Sequence, residues 1–205
     1  MADRLPRIVI TGAAHGVGRL CALSLAQWPV ELILCDLDGL GLQEISRSTG
    51  ALGRFCDVAS EASVAILAAE LLDRFDAIDG LINVAGSSYV RPLGTWRVSR
   101  ALLPALRQSH GEAILVNVAA RQEVSPDICV FPYASSGEAV EGLNEALLNA
   151  ARGTNVRVAA VAGEARPPRA RATHLSLCAS QTIALVAQTF GLPPFTVASR
   201  RPSAA

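Results

Sequence analysis

Four residues near the N-terminus have the types and spacing to hold an anionic nucleotide. Gly12, Gly16 and Gly18 fall in Thr11-Gly12-Ala13-Ala14-His15-Gly16-Val17-Gly18, and Asp36 follows 18 positions after the last glycine. Glycines in such a loop allow a sharp turn, a close approach of backbone to ligand, and tight packing of a helix on a strand. A helix that starts there offers unpaired N–H groups and a positive dipole end to a pyrophosphate. A carboxylate about 20 residues on can accept hydrogen bonds from an adenosine ribose. The spacing therefore points to a dinucleotide, with Gly12, His15, Gly16, Val17, Gly18 and Asp36 as its contacts. His15 reads two ways, as a phosphate contact or as a solvated loop histidine.

These residues need a strand before the loop, a helix after it and a second strand ending on the acid. Ile8-Val9-Ile10 is a short β-branched run, Leu20 to Trp28 is an apolar helical segment, and Glu31–Cys35 is a second strand-like run. The alternation continues. Gly41–Ser48 reads as a loose helix, Gly53–Cys56 as the third strand, and Ser60 as the N-cap of a helix whose apolar face carries Val64, Leu67, Ala68, Leu71 and Phe75. Gly80–Val84 is the fourth strand, Leu93–Gln108 a helix that Pro104 should kink or break, and Glu112–Val118 the fifth strand. Ala134–Arg152 is helical, Val156–Val161 the sixth strand, Arg166–Arg171 loop-like, Ser180–Phe190 a helix, and Phe195–Ser199 a seventh strand. Strands and helices alternating at this pitch imply an α/β fold: one Rossmann-type, doubly wound parallel sheet of about seven strands with helices on both faces. At 205 residues the chain fits a single domain, 1–205, with a nucleotide-binding half over 1–90 and a shortened second half over 91–205.

Composition narrows the partners. Lys plus Arg and Asp plus Glu number 18 each, so no bulk field favours nucleic acid or an anionic membrane surface. All 18 basic residues are arginines and there is no lysine. The five cysteines are scattered, without a Cys-x-x-Cys pair, which reads as reduced thiols in a cytoplasmic protein. No apolar run approaches membrane length. His110 and His174 lack acidic or cysteine neighbours at ligand spacing, so no metal is expected.

Taken in order, these motifs resemble the short-chain dehydrogenase/reductase family over nearly the whole chain. Thr11-Gly12-x-x-x-Gly16-x-Gly18 is similar to its cofactor loop, Asp36 to its NAD-selecting acid, and Asp57-Val58 to its adenine-contacting pair. Asn83-Val84-Ala85-Gly86 resembles its Asn-Asn-Ala-Gly turn with one substitution, which adds Asn83, Ala85 and Gly86 to the cofactor contacts. The resemblance implies NAD(H) rather than NADP(H), a small-molecule substrate, and a homodimer or a pairing with a related subunit. In the family such pairing runs through the helices corresponding to Leu93–Gln108 and Ala134–Arg152, so Trp96, Ala101 and Ala139 read either as interface or as core.

The same resemblance implies four catalytic side chains, and most are replaced. Tyr133 matches the proton-exchanging tyrosine, but the lysine position four residues on is Gly137. The serine position, 13 residues before Tyr133, is Ala120, and Arg91 falls where the asparagine belongs. A phenol of pKa near 10 is a poor base at neutral pH without a neighbouring cation. Tyr133 thus reads either as a surviving acid/base group or as an amphipathic residue at a helix start. Arg166, Arg169 and Arg171 read as an anion clamp or as a solvated loop. Three functions follow: an NAD(H)-binding pseudoenzyme or regulatory partner, an oxidoreductase working through Tyr133 on a small carbonyl or hydroxy substrate, and a non-redox lyase, isomerase or cyclase in a repurposed cleft.

Overall fold

The computed structural model describes residues 4–85, 92–120, 142–163 and 171–192. Their strands are β1 (Arg7–Thr11), β2 (Glu31–Asp36), β3 (Leu52–Phe55), β4 (Gly80–Asn83), β5 (Ala113–Ala120) and β6 (Val156–Gly163). Their helices are α1 (Gly16–Leu25), α2 (Gly39–Thr49), α3 (Glu61–Arg74), α4 (Pro92–Arg107), α5 (142–151) and α6 (Arg171–Phe190). The six strands form one all-parallel sheet in the order β3-β2-β1-β4-β5-β6. This is the doubly wound order, in which the chain reverses its direction of travel across the sheet between β1 and β4. The seventh expected strand, Phe195–Ser199, lies outside the described residues.

Alternation along each strand sorts the core into two layers. Val9, Ile33, Leu81 and Leu115 face α3, α4 and α5, where Val64, Leu71, Val98, Leu102, Leu106, Leu143 and Leu147 are buried. Ile8, Ile10, Leu32, Leu34, Ile82, Ile114 and Val116 face α1, α2 and α6, meeting Cys21, Leu25, Leu42, Ile45, Ile183 and Val186. Both faces are apolar because parallel strands are covered on both sides. Each fully buried aliphatic side chain contributes about 1.5–3 kcal/mol. Trp28 packs against the second layer, and Trp96 and Ala101 against the first. Cys21, Cys35, Cys56 and Cys178 are buried and in no disulfide; burial pushes the Cys21 thiol up to about 12 and raises the others. These thiols pack as small hydrophobes and are poor nucleophiles.

Several element ends differ from expectation. α1 begins at Gly16 rather than Leu20 and stops at Leu25, because Pro29 disfavours helical backbone at Trp28. α2 runs from Gly39 to Thr49, started by the Asp38 cap and ended by Gly50 in the left-handed region at φ 70°. β3 spans Leu52–Phe55 and β6 continues to Gly163. α4 does not end at Pro104: that residue is exposed, so the unpaired carbonyl one turn earlier can reach water, while Leu102, Leu103, Ala105 and Leu106 anchor the helix on both sides. α6 starts at Arg171, about two turns before Ser180. Cys178, Ala179, Thr182, Ile183, Val186 and Ala187 form one buried stripe that carries the helix through Ser180. The Ser60 cap on α3 is present, accepting from the Ser63 N–H at 3.2 Å.

The end of the sheet opposite the glycine loop is closed by Asp79. Its side chain, 8% exposed, takes both Arg4 guanidinium nitrogens at 2.6 and 3.0 Å, the Arg7 N–H at 2.8 Å and the Ser109 hydroxyl at 2.6 Å. Burial alone would raise this carboxyl; the Arg4, Ser109 and Arg7 hydrogen bonds outweigh it and hold the group below the usual carboxylate range. A depressed folded-state pKa contributes stability above the unfolded pKa near 4 and loses it as pH falls through the folded value. Asp79→Asn should therefore cost about 2–3 kcal/mol at neutral pH. The difference from wild type should shrink below pH 4, which urea unfolding across pH would read.

Candidate functional site

The glycine loop lies at the C-terminal end of β1, beside the point where the strand order reverses. Open parallel sheets bind ligands in the crevice at such a point. Gly12 sits at φ 69° and Gly16 at φ 51°, both in the region that disfavours side chains. A Cβ on Gly12 would stand 2.7 Å from the Ala85 nitrogen, and one on Gly18 only 2.1 Å from the Gly12 carbonyl oxygen. Gly18 thus lets α1 seat against the loop, and Gly12 lets that loop seat against the β4 end. Val17 is buried beneath it. The first turn of α1 has no acidic residue, and His15 at its N-cap makes no side-chain capping bond. The helix N-terminus is therefore left with donors and a positive dipole end for an anion.

Asp36 closes the other side of the crevice. Its Oδ2 accepts the Ala14 N–H at 2.9 Å and its Oδ1 the Asp38 N–H at 3.0 Å, which fixes the carboxylate against the glycine loop. Each carboxylate oxygen keeps acceptor capacity for a ribose hydroxyl. Asp57 is half-buried, with Oδ1 accepting the Ala59 N–H at 2.9 Å and its own N–H donating to Ser63 Oγ at 3.0 Å. Val58 is buried, and a Cβ on Gly94 would stand 2.8 Å from it, so its side chain serves the packing of α4. Ala85 is half-buried, while Gly86, Arg91, Tyr133, Gly137, Ala139, Arg166 and Arg169 lie outside the described residues.

Asn83 is the centre of a buried polar chain that spacing alone did not foretell. In register across the sheet it lies between Thr11 and Asn117. Its amide nitrogen donates to Ser99 Oγ at 2.9 Å and Asn117 Oδ1 at 3.0 Å, and the Asn117 amide donates onward to Asn144 Oδ1 on α5 at 2.7 Å. Thr11 Oγ1 accepts the N–H groups of Val84 and Ala85 at 3.2 and 3.3 Å. The chain ties the C-terminal ends of β1 and β4 and the middle of β5 to α4 and α5. A buried polar network rigidifies when each member is satisfied. Asn117 was visible in the sequence only as part of a strand.

Asp38, also unforeseen, caps α2 by accepting from the Leu40 and Gly41 N–H groups, each at 3.1 Å, and its Oδ2 lies 2.7 Å from His15 Nε2. The Gly41 N–H and the His15 contact hold its carboxyl below the usual range. His15, 72% exposed, is thus joined to α2.

A doubly wound sheet with a glycine loop at its reversal point and an acid ending β2 defines a dinucleotide-binding architecture. The short chain dehydrogenase profile matches residues 6–165. A 1,6-dihydroxycyclohexa-2,4-diene-1-carboxylate dehydrogenase of Acinetobacter baylyi is 30% identical over 79% of this chain and 70% of its own length. Rabbit L-fucose dehydrogenase is 28% identical over 68% of this chain, which spans 55% of that enzyme. Among solved structures, Pseudomonas aeruginosa RhlG in an NADP complex aligns with TM-score 0.71 at 20% identity, covering 88% of each chain. A short chain dehydrogenase/reductase of Burkholderia phymatum in complex with NAD aligns with TM-score 0.70 at 21% identity, covering 92% of this chain and 88% of its own. The protein belongs to the short-chain dehydrogenase/reductase family, whose members bind nicotinamide dinucleotides.

Proposed function

We propose that this chain binds NAD(H) and has impaired or lost the family's usual hydride transfer, acting as a pseudoenzyme or as a regulatory or partner subunit. The observation that carries the reading is a glycine loop fastened to Asp36 at the reversal point of the sheet, in a chain with Ala120 and Gly137 at the serine and lysine positions. The 1–90 half supplies Gly12, His15, Gly16, Val17, Gly18, Asp36, Asp57, Val58, Asn83, Ala85 and Gly86 around the dinucleotide, within one domain over 1–205. Asp36 at the end of β2 favours a free ribose over a phosphorylated one, hence NAD over NADP. Bound nicotinamide supplies hydride chemistry. The residues of this chain hold and orient it, but Ala120 offers a carbonyl no hydrogen bond and Gly137 offers Tyr133 no charge.

Pairing with a second copy or a related subunit would use α4 and α5, where Leu93 and Leu148 are about half exposed. Buried cysteines in no disulfide, among the described residues, suit a cytoplasmic setting. Among the described residues no helix is long and apolar enough to cross a membrane. Calorimetric titration of NADH into the purified protein tests the reading. Saturable binding supports it, and no heat of binding at millimolar NADH would refute it.

A second reading is an oxidoreductase using Tyr133 on a small carbonyl or hydroxy substrate. It is favoured by the 30% identity to a dehydrogenase of a dihydroxycyclohexadiene carboxylate.

A further inference from the structure

The basic groups at the start of α1 are both tied to carboxylates of the next βα unit. From Gly12 to Gly18 the only side chain able to carry positive charge is His15, and it meets Asp38 Oδ2 at 2.7 Å. The next, Arg19, reaches across to Glu44 Oε1 on α2 at 2.6 Å. Gly41 makes the first clasp possible, since a Cβ there would lie 2.6 Å from Asp38 Oδ2 and 3.0 Å from the Ala14 Cβ. The glycine loop is therefore fastened to the β2–α2 turn at two successive residues, by the Ala14 N–H on Asp36 and by His15 on Asp38. Asp38 also donates its own N–H to Asp36 Oδ1, so the two carboxylates share one turn beside the proposed ribose position.

An exposed pair of this kind contributes little to folding. Its effect falls on the charge that a ligand meets. A ribose 2′-phosphate brings close to two negative charges and needs an unpaired cation with donors to spare. Here it would face two carboxylates, with the His15 ring and the Arg19 guanidinium each already turned to a carboxylate of their own. We propose that Asp38 is a second cofactor-selecting residue, which excludes a 2′-phosphate by its own charge and by holding His15. This inference rests on the dinucleotide reading of the crevice and assigns to Asp38 a share of the selectivity otherwise given to Asp36 alone.

Asp38→Asn tests it, because asparagine still caps a helix while losing the charge and releasing His15. Dissociation constants for NADH and NADPH would be measured on the wild-type full chain, on Asp38→Asn and on Asp38→Asn/His15→Ala. For Asp38→Asn alone the expected result is a fall of about 10-fold or more in the ratio of the NADPH to the NADH constant, with NADH affinity within about 3-fold of wild type. Removing His15 as well should reverse part of that gain. An unchanged ratio in Asp38→Asn, with both nucleotides still bound, would overturn the role of Asp38 and leave the dinucleotide reading standing. Loss of NADH binding in a folded Asp38→Asn would likewise overturn it, making Asp38 a support of the loop. Wild-type protein that binds neither nucleotide would overturn both claims.

Discussion

Gly18→Ala should reduce NADH affinity by about 10- to 100-fold, the change that about 1–3 kcal/mol of overpacking at the binding loop represents. The added Cβ would stand 2.1 Å from the Gly12 carbonyl oxygen and 3.1 Å from the Ala13 Cα. Both neighbours are backbone, so relief requires the glycine loop and α1 to separate. Alanine gains up to about 1 kcal/mol of helix propensity over glycine. Overpacking in a tight core costs about 1–3 kcal/mol, and at this separation the steric term wins. A net loss of stability should therefore accompany the loss of binding. Gly111→Ala is the control, since a Cβ added there would meet nothing within 4 Å and the residue is remote from the crevice. Calorimetry and thermal unfolding on the two variants would separate loop displacement from a general intolerance of alanine.

The second large effect is a gain. Ala120→Ser combined with Gly137→Lys should raise NADH-dependent reduction of small carbonyls by about 10²–10⁴-fold over wild type, the usual range for a positioned acid–base group. Serine would hydrogen-bond the carbonyl oxygen, and lysine would lower the pKa of the Tyr133 phenol from near 10. Tyr133→Phe in that restored background should return the rate to the wild-type level. NADH consumption across a panel of aldehydes and ketones is the readout. A restored chain that folds, binds NADH and still turns over no faster would show that the missing serine and lysine are not what limits hydride transfer.

The sheet was legible in advance because its strands are buried on both faces, so Ile8–Ile10, Leu32–Leu34 and Gly80–Ile82 read as apolar runs between turn signals. The glycine loop was legible because backbone geometry restricts Gly12, Gly16 and Gly18 to one residue type, or nearly so. Helix ends were less so. Asp38 is a strong cap, but Asp36 two residues earlier matched a ligand-binding pattern and drew the reading to itself. The first turns of α6 were obscured by the arginine- and proline-rich run before them, while the buried stripe from Cys178 to Ala187 decides the helix. Pro104 illustrates the same point, since flanking burial overrides a local breaker. The Thr11–Asn83–Asn117–Asn144 chain required strand register and the seat of α5, neither of which spacing along one chain supplies. The His15–Asp38 contact likewise joins two loops 23 residues apart.

If the coenzyme crevice survives while the chemistry that used it does not, binding and turnover must come apart in one sample. The most direct test mixes wild-type protein with NADH and the carbonyl panel and follows nicotinamide fluorescence with time. A shifted, saturable signal from bound NADH that persists without decay is the expected result. No bound signal, or rapid decay abolished by Tyr133→Phe, would contradict it.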